Sequence, residues 1–152
     1  MFTLLKDDKV SVEVSQRTEF SCSYLVPDGK YYKLNSHHYK FEATVCGAKH
    51  YEQSGIVISF EDFKDLITKV VPDGFFLFDK GDIQQQILCR EFQNCGVPTK
   101  SFSSMISAER LLEEISLILV KDLRDIYPGV YLKETKLREN SNSYVSWKQE
   151  VL

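Results

Sequence analysis

Two long stretches rich in strand-forming residues, separated by a turn signal, constrain the fold of this chain most strongly. Val10–Leu25 alternates imperfectly and is rich in Val, Thr, Phe and Tyr, which predicts one long strand. Pro27-Asp28-Gly29 is typical of a turn, and Tyr31–Cys46 predicts the returning strand. The residues expected on one face of that second strand are Phe41, Ala43 and Val45. An antiparallel hairpin is therefore expected at the start of the fold.

Two amphipathic helices are predicted in the middle of the chain. Ser59 can cap the first, with Asp62 as an acidic residue in its first turn, and Pro72-Asp73-Gly74 ends it. Ser107 can cap the second, which ends at Tyr127-Pro128-Gly129. Apolar residues recur at helical spacing in both segments. They are Phe60, Phe63, Leu66, Ile67 and Val70 in the first, and Leu111, Leu112, Ile115, Ile118, Leu119 and Leu123 in the second.

The remaining segments give weaker signals. Ile56–Ile58 predicts a short strand before the first helix, and Phe75–Phe78 is a short apolar segment. Asp79–Met105 is the least regular region, and one interpretation places a short strand around Gln85–Cys89. The two last strands are predicted at Gly129–Lys136 and Ser143–Val151, on either side of a turn at 139–142.

The predicted order is β-β-α-α-β-β, with hairpins on either side of a helical middle. This pattern indicates an α+β fold in which helices cover one face of an antiparallel sheet. A chain of 152 residues suits one domain with its own core, so a single domain is expected over residues 1–152.

Composition excludes several classes of protein. The net charge of −3 and the pI near 5.6 argue against a nonspecific nucleic-acid binder, which needs a basic face. No apolar run reaches the ~20 residues that a bilayer crossing needs, and Met1–Asp8 does not resemble a secretory signal. The four cysteines form no CxxC pair. A cytoplasmic protein with reduced thiols and no membrane partner is therefore expected.

Five segments of the chain carry a resemblance to a known family. They are Phe20–Leu25, Asn35–Tyr39, Ser54–Leu66, Ser107–Glu109 and Lys133–Thr135. In this order and spacing they resemble the 6-pyruvoyl-tetrahydropterin synthase and 6-carboxytetrahydropterin synthase family. That family reads F-x-A-x-H, C-x-x-x-H-G-H, G-M-V-x-D-F, D-H, P-T-x-E and a late E-T.

The resemblance covers about residues 10–147 and implies the T-fold. In that fold, subunits join their sheets into a barrel, and active sites lie between subunits. A homo-oligomer is therefore expected. A four-stranded sheet with open edges is consistent with such an assembly.

Most chemical positions of the family are replaced in this chain. Family members bind zinc through three histidines, and those positions match Tyr24, Asn35 and His37. The catalytic thiol position matches Tyr31, and the D-H pair matches Asp73-Gly74. One imidazole with a phenol and an amide is a poor zinc site. The resemblance therefore implies neither a zinc cofactor nor retained catalytic residues.

The other histidines and thiols do not restore these positions. His38 follows His37 on a predicted strand and is expected on the opposite face, and His50 falls in a loop. Cys22 and Cys46 are better interpreted as small core residues than as catalytic thiols.

Glu134 is the functional position that is kept. In the family this glutamate resembles a bidentate clamp on the pterin ring, which presents a ring N–H beside an exocyclic amine, as guanine does. From the residues alone, Glu134 is better interpreted as a solvent-facing strand residue paired with Lys133 or Lys136, and it is the resemblance that favours the clamp. Ser107 matches the segment that holds the ring across a subunit interface, and is also simply a helix cap.

The tyrosines near the former metal positions allow two interpretations. Tyr24, Tyr31, Tyr32 and Tyr39 can stack on a planar heterocycle, or they can simply populate strands. The ligand-binding residues predicted from the resemblance are Glu134, Ser107, Tyr24, His37 and Tyr31.

These residues lead to one preferred function and two alternatives. The preferred hypothesis is a catalytically degenerate T-fold protein that binds a pterin-like or guanine-like heterocycle or nucleotide between subunits, and by extension sequesters it. The first alternative is an active, divergent tetrahydropterin synthase of pterin or deazapurine biosynthesis. The second is a structural or interaction protein on the same scaffold.

Overall fold

The computed structural model describes residues 12–47, 54–103 and 106–149. These residues form a six-stranded sheet and three helices in an α+β fold. In chain order the elements are β1 (Glu13–Asp28), β2 (Tyr31–Cys46), α1 (Phe60–Val70), β3 (Phe75–Asp79), α2 (Ile83–Asn94), β4 (Thr99–Phe102), α3 (Ala108–Ile126), β5 (Tyr131–Arg138) and β6 (Tyr144–Lys148). The strand order across the sheet is β4-β3-β1-β2-β5-β6.

The first two strands form the predicted hairpin. β1 and β2 are 16 residues each and pair from Glu13 opposite Cys46 to Asp28 opposite Tyr31. The predicted turn is confirmed but lies further along the chain: it is Gly29-Lys30, with Gly29 at a φ of 62°, and β1 continues through Pro27 and Asp28. Pro27 is tolerated inside β1 because its nitrogen faces away from β2 and no ladder hydrogen bond is lost.

One face of the sheet carries the core. Phe20 and Phe41 on the hairpin pack with Leu137 of β5, and each is at most 1% exposed. The helices α1 and α3 cover this face. Their apolar positions were predicted from the helical spacing, and the buried members are Phe63, Leu66, Ile67 and Val70 of α1 and Leu111, Leu112, Ile115, Leu119 and Leu123 of α3.

The irregular region after α1 forms a β3-α2-β4 insertion. β3 pairs with β1 in parallel only over Cys22–Tyr24, and β4 pairs in parallel with β3. The predicted strand at Gln85–Cys89 is wrong, because these residues lie within the helix α2. Asp82 begins that helix by accepting hydrogen bonds from the backbone N–H groups of the second and third helical residues.

The helix α2 also lies on the face where no helix was predicted. The ring of Phe92 packs edge-on against Phe76 and Phe78 of β3, at centroid distances of 4.8 and 5.6 Å. Side chains alternate along a strand, so these rings face away from Leu77, which belongs to the core. Two helices therefore cover one face, and the third covers the edge of the other.

The segments that flank the helices show smaller differences from prediction. Ile56–Ile58 was predicted as a strand but forms bends, and its last two residues are buried beneath α1. The caps at Ser59 and Ser107 are confirmed, each accepting from a backbone N–H 3.1 Å away. His50 and the predicted end of the last strand at Val151 lie outside the described residues. Within the described ranges, none of the helices has the length and apolar character needed to cross a membrane.

Candidate functional site

Tyr24 and His37 lie side by side on the core face of the hairpin. Tyr24 stands directly opposite Asn35, and His37 follows two residues later on the same face. The ring centroids of Tyr24 and His37 are 5.8 Å apart, and those of His37 and Tyr39 are 5.4 Å apart. Tyr24 is only 5% exposed. These contacts place the His37 ring between the rings of Tyr24 and Tyr39.

Internal partners occupy the polar atoms of this cluster. His37 Nδ1 lies 2.8 Å from Glu139 Oε1, in the turn after β5. Burial raises the pKa of Tyr39 well above its usual range, and the neighbouring Tyr24, to which it is hydrogen-bonded, adds to the effect. The cluster is thus a row of rings in contact, closed at one end by the Glu139 carboxylate.

This donor set does not fit a zinc ion. The three positions that match the family's histidines offer a buried phenol, an amide and an imidazole that already bonds a carboxylate. Zinc sites in proteins use thiolate, imidazole and carboxylate ligands. Among the residues that the structure describes, no three His, Cys, Asp or Glu side chains are grouped closely enough to hold a metal.

The positions that match the family's catalytic residues have structural partners or face solvent. Tyr31 is 79% exposed at the end of the hairpin. Asp73 Oδ1 accepts from the Ser21 N–H at 3.0 Å, and the Gly74 N–H donates to the Ser21 carbonyl at 2.7 Å. Asp73-Gly74 therefore fixes the backbone of β1 from the side opposite β2.

The buried thiol near this site is unreactive. Burial raises the pKa of Cys22 to about 12, and the charge of Asp73 contributes. Because the thiolate is the nucleophilic form, Cys22 stays a protonated core residue near neutral pH.

Glu134 points to the face of the sheet away from α1 and α3. It stands opposite Thr44 of β2 and Lys148 of β6, and its side chain is 24% exposed. Its carboxylate lies 3.9 Å from Lys136 Nζ, which is longer than a hydrogen bond. The carboxylate oxygens therefore keep acceptor capacity for a ligand.

A buried hydrogen bond next to Glu134 fixes its direction. Thr135 faces the core, and its hydroxyl lies 2.6 Å from Ser116 Oγ on α3. The Ser116 hydroxyl is also 2.6 Å from the Leu112 carbonyl. Because adjacent residues of a strand point to opposite faces, anchoring Thr135 inward holds Glu134 outward. Sequence analysis missed Ser116, although a hydroxyl within an apolar helical stripe was a usable signal.

The predicted ligand-binding residues do not meet within one chain. Thr44, opposite Glu134, lies nine residues along β2 from Asn35, opposite Tyr24, which is roughly 30 Å at ~3.3 Å per residue. Ser107 begins α3, on the helical side of the sheet. The structure unites Tyr24 with His37 and leaves the other predicted residues apart.

The family model for 6-pyruvoyl tetrahydropterin synthase matches residues 13–150. The chain belongs to this family. The match includes the strands that carry Tyr24, His37 and Glu134, so the T-fold and the tetrahydropterin synthase-like family inferred from the motifs are confirmed. No curated protein matches the chain.

Solved structures share the fold at low sequence identity. An uncharacterized protein from Wolinella succinogenes is 14% identical with a TM-score of 0.69, covering 93% of this chain and 100% of its own. A Plasmodium vivax 6-pyruvoyltetrahydropterin synthase with a catalytic glutamate replaced by alanine is 13% identical with a TM-score of 0.68, covering 94% and 100%. The Caenorhabditis elegans 6-pyruvoyl tetrahydropterin synthase is 14% identical with a TM-score of 0.56, covering 93% and 98%.

Proposed function

We propose that this family member binds a pterin-like or guanine-like heterocycle, free or within a nucleotide, and does not turn it over. The observation that carries the proposal is the closed cluster at the former metal positions, where His37 is bonded to Glu139 and Tyr24 is buried. The residues that would orient a metal and abstract a proton are absent from those positions. A protein of this kind would sequester its ligand in the cytoplasm.

Glu134 is the proposed contact to the heterocycle. A carboxylate accepts two parallel hydrogen bonds from a ring N–H and an adjacent amine, which is the edge shared by pterin and guanine. Adenine presents a different edge. The anchored neighbour Thr135 keeps the carboxylate pointing away from the core, and its long contact to Lys136 is weak enough to be replaced.

A homo-oligomer is proposed to complete the pocket. Within one chain Glu134 lies far from Tyr24 and His37, so their joint use requires a second subunit. The sheet also leaves suitable edges, since β3 pairs with β1 only over Cys22–Tyr24, and β6 is the last strand of the sheet over the described residues. An unpaired strand edge is a template for pairing with another chain.

Calorimetry with pterins and with guanine and adenine nucleotides tests this function. Glu134→Gln keeps the shape but places a donor against a donor, which costs about 1–3 kcal/mol or more. Affinity for the guanine and pterin compounds should therefore fall by roughly one to two orders of magnitude. Glu42→Gln is the matched control, because Glu42 lies on the same face, with a side chain that is 26% exposed against 24% for Glu134.

Four outcomes would contradict the proposal. The clamp is wrong if the unmodified protein binds guanine and adenine compounds equally, or if Glu134→Gln and Glu42→Gln behave alike. Conversion of a bound pterin to product would instead support an active synthase. Failure of the whole panel to bind would leave a structural or interaction role.

A further inference from the structure

The hairpin face that α1 and α3 leave uncovered carries a row of polar cross-strand pairs. The backbone groups of Ser21 bond to Asp73 and Gly74 and so point away from β2. Ser21 and every second residue of β1 from it therefore form non-hydrogen-bonded pairs with β2. In such pairs the opposite side chains lie closest together. The pairs are Ser15–Thr44, Arg17–Glu42, Glu19–Lys40, Ser21–His38 and Ser23–Ser36.

One part of this row has the arrangement of a hydrolytic triad. Ser21 Oγ lies 2.9 Å from His38 Nδ1, and His38 Nε2 lies 3.4 Å from Glu19 Oε2. His38 thus lies between a hydroxyl at hydrogen-bond distance and a carboxylate at ion-pair distance, which is the order of groups that activates a serine nucleophile. The side chains of His38 and Glu19 are 58% and 56% exposed, so a solute can reach these groups.

A largely open cavity of about 410 Å³ lies beside Ser21 and His38. Its polar wall includes Ser21 and His38, and its apolar wall includes Phe76 and Val97. This volume is in the range of small-molecule pockets. A nucleophile, its base and a concave surface with an apolar side therefore occur together.

We propose that Ser21 is the nucleophile of an ester-hydrolysing site, with His38 as its general base and Glu19 as the residue that orients the imidazole. His37 also lines this cavity, so the ester site adjoins the heterocycle pocket proposed above, but its chemistry does not use Glu134 and does not depend on that pocket. Its substrates are neutral esters with a small apolar acyl group, because Phe76 and Val97 line one wall while Glu19 and Asp73 disfavour anions nearby.

The reaction needs no cofactor. With its own hydrogen on Nε2, facing Glu19, His38 accepts the Ser21 hydroxyl proton at Nδ1 as Ser21 Oγ bonds to the ester carbonyl carbon. Cleavage of the C–O bond releases the alcohol, which takes that proton from His38. Water then attacks the acyl-Ser21 ester, gives a proton to His38, and releases the carboxylic acid as that proton returns to Ser21.

Two neighbouring hydroxyls stabilise the oxyanion. Ser23 Oγ and Ser36 Oγ are 2.8 Å apart and line the same cavity. Each hydroxyl has one hydrogen, and the bond between them uses only one. The second hydrogen is available to the negatively charged oxygen of the tetrahedral intermediate, in the manner of an oxyanion hole.

Hydrolysis of p-nitrophenyl butyrate and labelling by a fluorophosphonate test the site. The label is expected on the peptide that contains Ser21, and Ser21→Ala should abolish it and lower the hydrolysis rate by on the order of 10²-fold or more. His38→Ala should lower both similarly. Glu19→Gln should lower kcat and leave KM unchanged, because Glu19 orients the base and does not touch the substrate. The anionic ester p-nitrophenyl succinate should react more slowly than the butyrate.

Ser15→Ala is the matched control, since Ser15 pairs with Thr44 on the same face of the same strands but has no imidazole partner. It should retain labelling and rate, and circular dichroism should be unchanged in every variant. The proposal is overturned if peptide mass analysis finds the label elsewhere, if His38→Ala labels as fast as the unmodified protein, or if Ser15→Ala and Ser21→Ala hydrolyse the ester equally.

Discussion

The phenol of Tyr32 donates a hydrogen bond to Asp82 Oδ2 at 2.6 Å and thereby connects β2 to the start of α2. Asp82 accepts through its other oxygen from the Gln84 N–H at 3.0 Å, as the cap of that helix. One carboxylate therefore holds both the helix start and its attachment to the hairpin. The bond raises the pKa of Tyr32 and lowers the pKa of Asp82.

Tyr32→Phe should reduce stability in a pH-dependent manner. Because the pKa of Asp82 is lowered in the folded protein, Asp82 stabilises the fold at pH values above its ordinary pKa of 3.8. This stabilisation is lost as the pH falls through the pKa of the folded state. The raised pKa of Tyr32 contributes stability below the ordinary value of 10.0 that is lost as pH rises through the folded pKa. Urea unfolding should show a constant deficit for Tyr32→Phe between these limits and a smaller one outside them.

Tyr31→Phe is the control for that series, because Tyr31 is 79% exposed. It should unfold like the unmodified protein at every pH. A deficit of the same size in both variants would mean that the bond to Asp82 does not stabilise the fold.

Ser116→Ala should destabilise the protein by about 1–3 kcal/mol, because it removes the partner of the buried Thr135 hydroxyl. Thr135→Val should cost less, because the Ser116 hydroxyl keeps its hydrogen bond to the Leu112 carbonyl. The double variant should lose less than the sum of the two, since no buried hydroxyl then lacks its partner. Denaturant unfolding measures all three, with the exposed Ser143→Ala as a control. Strict additivity would contradict the coupling.

Untagged protein should contain far less than one zinc per chain, because the cluster of Tyr24, Asn35 and His37 is a poor donor set. Elemental analysis by mass spectrometry measures this directly. Zinc near one per chain that disappears in His37→Ala would refute the prediction and favour an active synthase.

The protein should form a trimer or larger ring at micromolar concentration, as measured by light scattering. The Gln149 N–H bonds to the Lys133 carbonyl, so the N–H of Ser146 points to the outer edge of β6. Ser146→Pro should therefore weaken assembly without removing a bond to β5, whereas Ser146→Ala should assemble normally. A stable monomer of the unmodified protein would contradict the assembly.

The sequence predicts those parts of the fold that depend on local pattern. The bounds of β2 at Tyr31–Cys46 follow from alternation and a turn, and the caps at Ser59 and Ser107 follow from side-chain oxygens that can accept backbone N–H groups. These signals involve residues close together in the chain, so neighbouring sequence is sufficient to detect them.

The parts that depend on distant contacts were not predictable. α2 was missed because a polar residue, Gln85, occupies a buried position of this helix. Gln85 is 1% exposed, and its amide oxygen accepts a hydrogen bond from the Asp79 N–H rather than from solvent. The contact of His37 with Glu139 joins residues far apart in the chain. The motifs identified the family. The ligand role of Glu134 stays a prediction, because an exposed carboxylate on a strand has the same local structure in a ligand-binding protein as in one that binds nothing there.

The row of polar pairs on the uncovered face also determines how β1 and β2 align. A slip of one residue would turn the apolar face outward. If β2 shifted by two residues relative to β1, the apolar side chains would stay on the core face. The observed register shows that a shift in one direction would place Glu19 opposite Glu42, and a shift in the other direction would place Arg17 opposite Lys40. Like charges directly opposite are destabilising. The order of charges along the hairpin thus makes each neighbouring alignment repulsive and leaves the observed one as the alignment without a clash of charge.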